Sequence, residues 1–453
     1  MRFAPRLVLF ASSALVLPAC GPSPAMEGAA PRARPDLRRA VAPAPAPMST
    51  WVRRLGGALR DECDGVHVDA AGSVFVAGSF TGVGDFGRDP LTSTGRRDAF
   101  VVKIDPGGNP IWSRGLGSVG DDAATSVATD AAGNVFIAGW ASGALDRSAG
   151  PAAATPRIFV MAASPGGEPR WTRVLPGGAE HVRPALAVDA SGAVVLAAQY
   201  AGDFPLGPVT LKSAGKDDVV VMKLAPDGSV IWARSAGGAG HDGASAIAVD
   251  PSGRVLVAGE SEGPIDFGRG PIGSGARHQG FVVALDGATG TALWGRSIAD
   301  RGHGGASGVT VDAAGQITVV GAALDPSTSV MRTFVAQLDP AGRERWGSSL
   351  GDAGTTQGSA AAEDAAGNVI VTGSADGEVF LARFDPGGRR TGMTRFGAGP
   401  GGSARGRTVA FDRAGQMVIG GSFSGRLAIA GGTIEGAGES DVFVARLPPS
   451  GGW

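Results

Sequence analysis

Two cysteines, one tyrosine and five histidines are all that 453 residues contain of those types. So few cysteines exclude a scaffold built on disulfides. Aromatic residues are 6% of the chain and the formal net charge is −2, so there is no basic footprint for nucleic acid. No Gly-X-Y period is present, which excludes a collagen-like chain, and 43% hydrophobic residues exclude wholesale disorder. No stretch carries a capped 3.6-residue period, so helices are not expected to build the fold. The longest apolar run is too short for a permanent bilayer span. Glycine is what the chain has in excess, at 76 residues, more than twice its usual share of about 7%.

The chain begins as a targeting segment. Arg2 and Arg6 precede an apolar core from Leu7 to Leu17, which reads as a signal peptide over residues 1–19. It ends in Leu17-Pro18-Ala19-Cys20, which resembles the lipobox of bacterial lipoproteins. That resemblance implies that Cys20 is acylated and heads the mature chain. Gly21 in place of an aspartate implies an outer-membrane address, with the chain lipid-anchored and facing periplasm or cell surface. An ordinary cleaved signal with an incidental cysteine is the other reading of the same residues. Residues 20–49 are rich in proline and alanine, carry Arg32, Arg34, Arg38 and Arg39, and read as a tether. Cys63 would then be the sole cysteine of the mature chain, either a free or intermolecular thiol or a buried inert one.

From residue 50 to 453 the sequence is one repeat. Its clearest unit is an Asp-x-x-Gly turn followed by an apolar run, as in Asp69 to Gly78. The turn aspartate recurs at Asp130, Asp189, Asp250, Asp312, Asp364 and Asp412, at spacings of 61, 59, 61, 62, 52 and 48. A second unit, Asp98 to Trp112, recurs with its tryptophan at Trp171, Trp232, Trp294 and Trp346, then with Met393, and last at Trp453. Trp51 occupies the same slot, so Trp140 alone falls outside the series. Tryptophans in register are a packing signature. The runs alternate with period two between Gly, Pro and Asp, which is hairpin grammar. Each repeat therefore reads as a four-stranded antiparallel meander, strands a to d, and seven of them predict an all-β, seven-bladed β-propeller. The seventh repeat ends after strand c, while Trp51 to Gly56 matches Trp112 to Gly117. The N-terminal strand is therefore expected to close the ring as the missing strand d.

The combination of Trp-x-x-x-Leu-Gly, the Val-Asp-Ala-Ala-Gly-type turn, Asp85-Phe86-Gly87 and Asp98-Ala-Phe-Val-Val-Lys103 resembles the SBBP repeat of seven-bladed propellers. The likeness implies a fold and no catalytic residues. One segment, Ala284-Leu-Asp286-Gly-Ala-Thr289-Gly290-Thr-Ala-Leu-Trp294, is similar to the tryptophan-docking motif of quinoprotein propellers, which packs neighbouring blades. No adjacent cysteines accompany it, so a quinone dehydrogenase is not expected.

In such a meander the a–b and c–d turns share one face, here tight turns throughout. The b–c and d–a loops share the other, where variable loops usually carry function. Blades 1, 3, 4 and 7 have long b–c excursions and blade 6 only Ala375-Asp376-Gly377, which predicts a rim high on one side. Eight or nine residues before each turn aspartate the d–a loops read Arg60/Asp61, Asp121/Asp122, Glu180/His181, His241/Asp242, His303/Gly304, Thr355/Thr356 and Ser403/Ala404. Repeat symmetry sets Asp61, Asp121, Asp122, Glu180, His181, His241, Asp242 and His303 around the mouth of the channel. Imidazoles beside carboxylates suit a divalent metal such as zinc and metal-assisted hydrolysis, as by a lactonase. Aspartates at loop ends equally well hold backbone N–H groups. The leading expectation is a cell-envelope lipoprotein whose propeller binds protein or polysaccharide without catalysis and without a cofactor. A metal-assisted hydrolase at the mouth, or an envelope-assembly scaffold, is the alternative.

Overall fold

Alternating apolar runs punctuated by Asp/Gly turns place every strand, and the computed structural model bears this out as an all-β ring of seven blades. It describes residues 50–143, 145, 155–178, 183–275, 278–298, 304–325, 327–351, 354–429 and 431–448. The signal peptide, Cys20, the tether, Glu180, His181, His303 and Trp453 lie outside the described residues. Blade 1 consists of strand a (Glu62–Val68), strand b (Val74–Phe80), strand c (Asp98–Ile104) and strand d (Pro110–Leu116), hydrogen-bonded in that order. Five further blades repeat it. In blade 7, strands Ala404–Phe411, Met417–Phe423 and Asp441–Leu447 are completed by Trp51–Gly57, antiparallel with Trp51 opposite Arg446 and Leu55 opposite Val442. The ring is thus closed by the N-terminal strand.

The turns follow from their chemistry. Asp69 Oδ1 accepts the N–H groups of Ala71 and Ser73, and Gly72 takes the positive φ of 82° that the turn requires. The same pattern recurs at the other turn aspartates, for example at Asp130 and Asp312.

The apolar faces form seven buried clusters, each spanning one interface between neighbouring blades. Strands b and c feed two interfaces at once, because alternate side chains point to opposite faces. Val74 and Val76 join blade 7 to blade 1, while Phe75 and Ala77 join blade 1 to blade 2. The tryptophans lock these interfaces. Each strand-d indole reaches the c–d turn of the next blade: Trp51 Nε1 donates to Pro106 O at 3.1 Å, Trp112 to Pro165 O at 3.1 Å, Trp171 to Pro226 O at 2.8 Å, Trp232 to Gly287 O at 3.1 Å and Trp294 to Pro340 O at 3.3 Å. The ring covers the turn glycine so closely that a Cβ on Gly290 would lie 2.6 Å from Trp232. Trp346 covers Gly388 in the same way but donates to Gln337 within its own blade. The docking resemblance noted at one segment thus describes six interfaces.

The long b–c excursions are present in blades 1, 3, 4 and 7 as two-stranded ribbons. They do not raise the rim as expected. In blades 1 and 4 they lie against the outer strands: Gly84 and Asp85 pair with Gly57 and Gly56 of the closing strand, and Gly237 bridges Asp266. Arg88 and Arg269 donate to Ile111 O and Leu293 O of strands d. A buried apolar side chain on each ribbon is the reason, Ile265 in blade 4 and a phenylalanine in blades 1 and 3. Phe86 is fully buried, 4.5 Å between ring centroids from Phe100, and Phe204 is likewise buried against Tyr200. Burying that side chain draws the ribbon over the blade, where it covers an otherwise open sheet edge.

Candidate functional site

Strand a lines the channel, and one irregularity decides what it presents there. In six blades the pairing of strands a and b skips one residue, a β-bulge at Asp64, Thr125, Ser245, Ser307, Ser359 and Arg407. A bulge re-aims the extra side chain, and all six residues line the channel, which encloses about 940 Å³. Opposite the bulge strand b carries a glycine in each of these blades. A Cβ on Gly78 would lie 1.9 Å from Glu62 O, and one on Gly373 2.0 Å from Gln357 O. Blade 3 has Ala198 at this position, and there the paired strand a begins only at Ala185. The hydroxyls of the bulge ring stitch neighbouring blades, with Thr125 Oγ1 donating to Pro184 O at 2.5 Å and Ser307 Oγ to Gly358 O at 2.6 Å. Sequence reasoning missed this ring. Its signal is a residue five positions before each turn aspartate that is usually polar inside an apolar strand.

The d–a slot divides in two. Its second residue is buried and holds loops together. Asp61 Oδ2 accepts the Gly57 N–H at 2.6 Å and its Oδ1 the Thr81 N–H at 3.4 Å. Asp122 does the same with Ser118 at 2.6 Å and Ser142 at 3.1 Å, and Asp242 accepts from Gly238 at 2.6 Å. Asp61, Asp122 and Asp242 are all inaccessible to solvent. Thr356 substitutes in blade 6, donating to Leu350 O and accepting from Thr333 N–H. The first residue of the slot stays nearer the rim. Asp121 lies 3.9 Å from Arg96, and His241 Nδ1 is 2.7 Å from Asp217 Oδ2 with nearly half of its side chain exposed. The structure therefore brings His241 to the mouth and keeps Asp61, Asp122 and Asp242 away from any ligand. Among the described residues no group of three His, Cys, Asp or Glu side chains could hold a metal.

The buried slot carboxylates face a second set at the start of strand c, where Asp98, Asp218 and Asp441 accept N–H groups of their own loops. Burial, opposed by loop N–H groups and reinforced by the like charge of Asp441 or Asp218, pushes Asp61 and Asp242 up to about 6. One oxygen each of Asp218 and Asp242 is buried without a hydrogen-bond partner. Between pH 4 and 6 the folded state then binds more protons at Asp242 than the unfolded state does. This group's contribution to stability therefore falls as pH rises through 6. Buried neutral His67, held down to about 4 by desolvation, has the opposite sign over the same range, and comparing wild type with a variant cancels it. Asp242→Asn keeps an oxygen for Gly238. Its unfolding free energy in urea should match wild type at pH 4.5 and exceed it at pH 7.5 by about 2 kcal/mol. An equal loss at both pH values would show that the charge is not what matters.

The mouth is electrically two-sided. Over blades 7 and 1 stand Arg405 and Arg407 with Glu62 and Asp64, and Arg183, on the loop that enters blade 3, reaches over to pair with Asp64. Across the channel the lining includes Asp217, His241, Glu260 and His278. Trp140, outside the docking series, carries the Arg97 guanidinium 5.1 Å over its ring. Cys63 is buried and desolvation pushes its thiol far up, so it is the inert form.

No family model matches the chain and no curated protein matches it. Solved structures do. The Pan2 WD40 domain of Neurospora crassa is 10% identical, with a TM-score of 0.47 over 86% of this chain and 89% of that one. A catalytically inactive virginiamycin B lyase from Staphylococcus aureus, solved with quinupristin, is 10% identical with a TM-score of 0.45 over 88% and 100%. Sqt1 from Chaetomium thermophilum is 14% identical with a TM-score of 0.42 over 86% and 87%.

Proposed function

We propose that this chain is a cell-envelope lipoprotein, anchored through Cys20 in the outer membrane, whose propeller is a non-enzymatic binding or scaffold module. Its ligand, a protein or a polysaccharide, engages the face that carries the d–a loops. The observation that carries this reading is the fate of the slot carboxylates. Asp61, Asp122 and Asp242 each accept loop N–H groups out of contact with solvent. Residues that hold a rigid frame leave the mouth as a fixed, polar, open surface, which suits recognition.

One experiment separates this from metal-assisted hydrolysis. The full chain, purified without chelator, is assayed for bound metal and for co-sedimentation with purified cell-wall polysaccharide, and for complex formation with solubilised envelope proteins. A His181/His241/His303→Ala variant runs beside it. Saturable binding without stoichiometric metal is the expected outcome. Stoichiometric transition metal that disappears in the variant would replace this reading with the hydrolase.

A further inference from the structure

The bulge in strand a of blade 7 sets Arg407 on the channel wall, because Gly406 and Thr408 pair with Gly421 and Gly420 and skip it. It lines both the channel and the adjoining recess that opens beside Arg60 and Arg405. No hydrogen bond or ion pair holds its guanidinium among the described residues. The two carboxylates whose charge reaches it, Asp64 and Glu62, are already engaged. Asp64, whose side chain is 5% exposed, is bonded to Arg183. Glu62 is 2.6 Å from Arg60 and 3.8 Å from Arg97. Arg405 donates to Gln357 Oε1 at 2.9 Å, a neutral partner. Five guanidiniums thus stand beside three carboxylates on this side of the mouth, Glu62, Asp64 and Glu439. A structural role for Arg407 would place a carbonyl or carboxylate on its fork, as Arg446 has in Pro106 and Asp412.

The geometry points to an oxyanion-binding site at Arg407, open to the mouth and flanked by Arg183 and Arg405, that takes a carboxylate or phosphate group carried by a ligand entering the channel. Three observations support it. A guanidinium is a planar fork matched to two oxygens of such a group. Burial and the neighbouring Arg183 charge lower the affinity of Arg407 for its own proton, a cost that an incoming anion relieves. The opposite wall, with Asp217 and Glu260, repels an anion and so directs it to this side. The site deepens the binding reading by naming the group that the mouth accepts. Its test is made on the purified chain alone, so it fails separately from a search for a macromolecular partner.

The experiment is calorimetric titration of the full chain with inorganic phosphate and with citrate at low salt, for wild type, Arg407→Gln and Asp64→Asn. Arg88→Gln, on the blade 1 ribbon, is the control. Wild type should bind at least one of the two anions saturably, and the tighter one distinguishes a phosphate from a carboxylate source. Arg407→Gln should weaken that binding at least tenfold while Arg88→Gln leaves it unchanged. Asp64→Asn frees Arg183 and should tighten it severalfold, whereas a purely structural cluster would lose stability and gain no affinity. Arg407→Gln should melt no lower than wild type in the absence of anion, because it removes a half-buried charge that no hydrogen bond or ion pair holds. No binding of either anion at millimolar concentration, binding that survives Arg407→Gln, or binding weakened by Asp64→Asn would overturn the site.

Discussion

Removing residues 51–57 should cost the propeller its cooperative fold. The deletion strips blade 7 of its outer strand and leaves the whole length of Asp441–Leu447 unpaired on that side. It takes Trp51 off the blade 1 turn, Leu55 out of the interface core, and the Arg54 guanidinium from Asp441, 2.8 Å away. A buried tryptophan is worth about 3–5 kcal/mol and a buried leucine about 2–5 kcal/mol on truncation. Together these approach the 5–15 kcal/mol by which folded proteins are ordinarily stable. The expected result is a chain that is aggregated or without a sharp thermal transition. Adding a synthetic peptide of residues 50–58 should restore one. A deletion variant that melts within a few degrees of wild type would show that the ring does not depend on this strand.

Trp232→Ala is expected to have the next largest effect, a loss of about 3–5 kcal/mol in urea unfolding. The side chain is 7% exposed, its indole donates to Gly287 O, and its ring fills the space over Gly290, which has a φ of 70°. Within the blade 3–4 core the indole is the largest side chain, set among small and aliphatic residues such as Ala236, Ala292 and Val221 that cannot fill the space it leaves. Trp140→Ala, at a tryptophan outside the docking register, should cost less, because that ring is only half-buried against the edge of the blade 2–3 core and docks no turn of a neighbouring blade. Equal losses at the two positions would mean that docking adds nothing beyond burial of an indole.

The contrast between these two tryptophans shows how much was legible in the sequence. Trp232 could be placed because the spacing of its tryptophan slot from the next turn aspartate, Asp250, recurs from Trp51 to Trp346, and a repeated position in a ring repeats its contacts. Closure was legible for the same reason, with Trp51 to Gly56 matching Trp112 to Gly117. What lay hidden depended on single-residue offsets. His241 and Asp242 are adjacent, yet one reaches the mouth and the other is buried as a loop staple, because successive residues entering a strand point to opposite sides. Counting eight or nine residues from the turn found both positions and left their roles unseparated. Arg407 was missed because a bulge, which no local propensity announces, turns it into the channel. The ribbons were misdirected because their length was legible and their burial was not: Phe86 and Phe204 pull them outward across the blades.

The closing strand also gives the ring a direction in which it is strong and one in which it is weak. Trp51 to Leu55 face Arg446 to Val442 in unbroken antiparallel register. Tension applied at Trp51 along the strand axis loads all of these pairs in shear at the same moment. The same tension applied outward loads Trp51 and Arg446 alone, then each pair in succession, and peels the strand like a seam. Resistance to forced opening is governed by the rate of that first separation. For a chain pulled from its N-terminal side, the angle of pull would decide which of the two regimes the propeller meets.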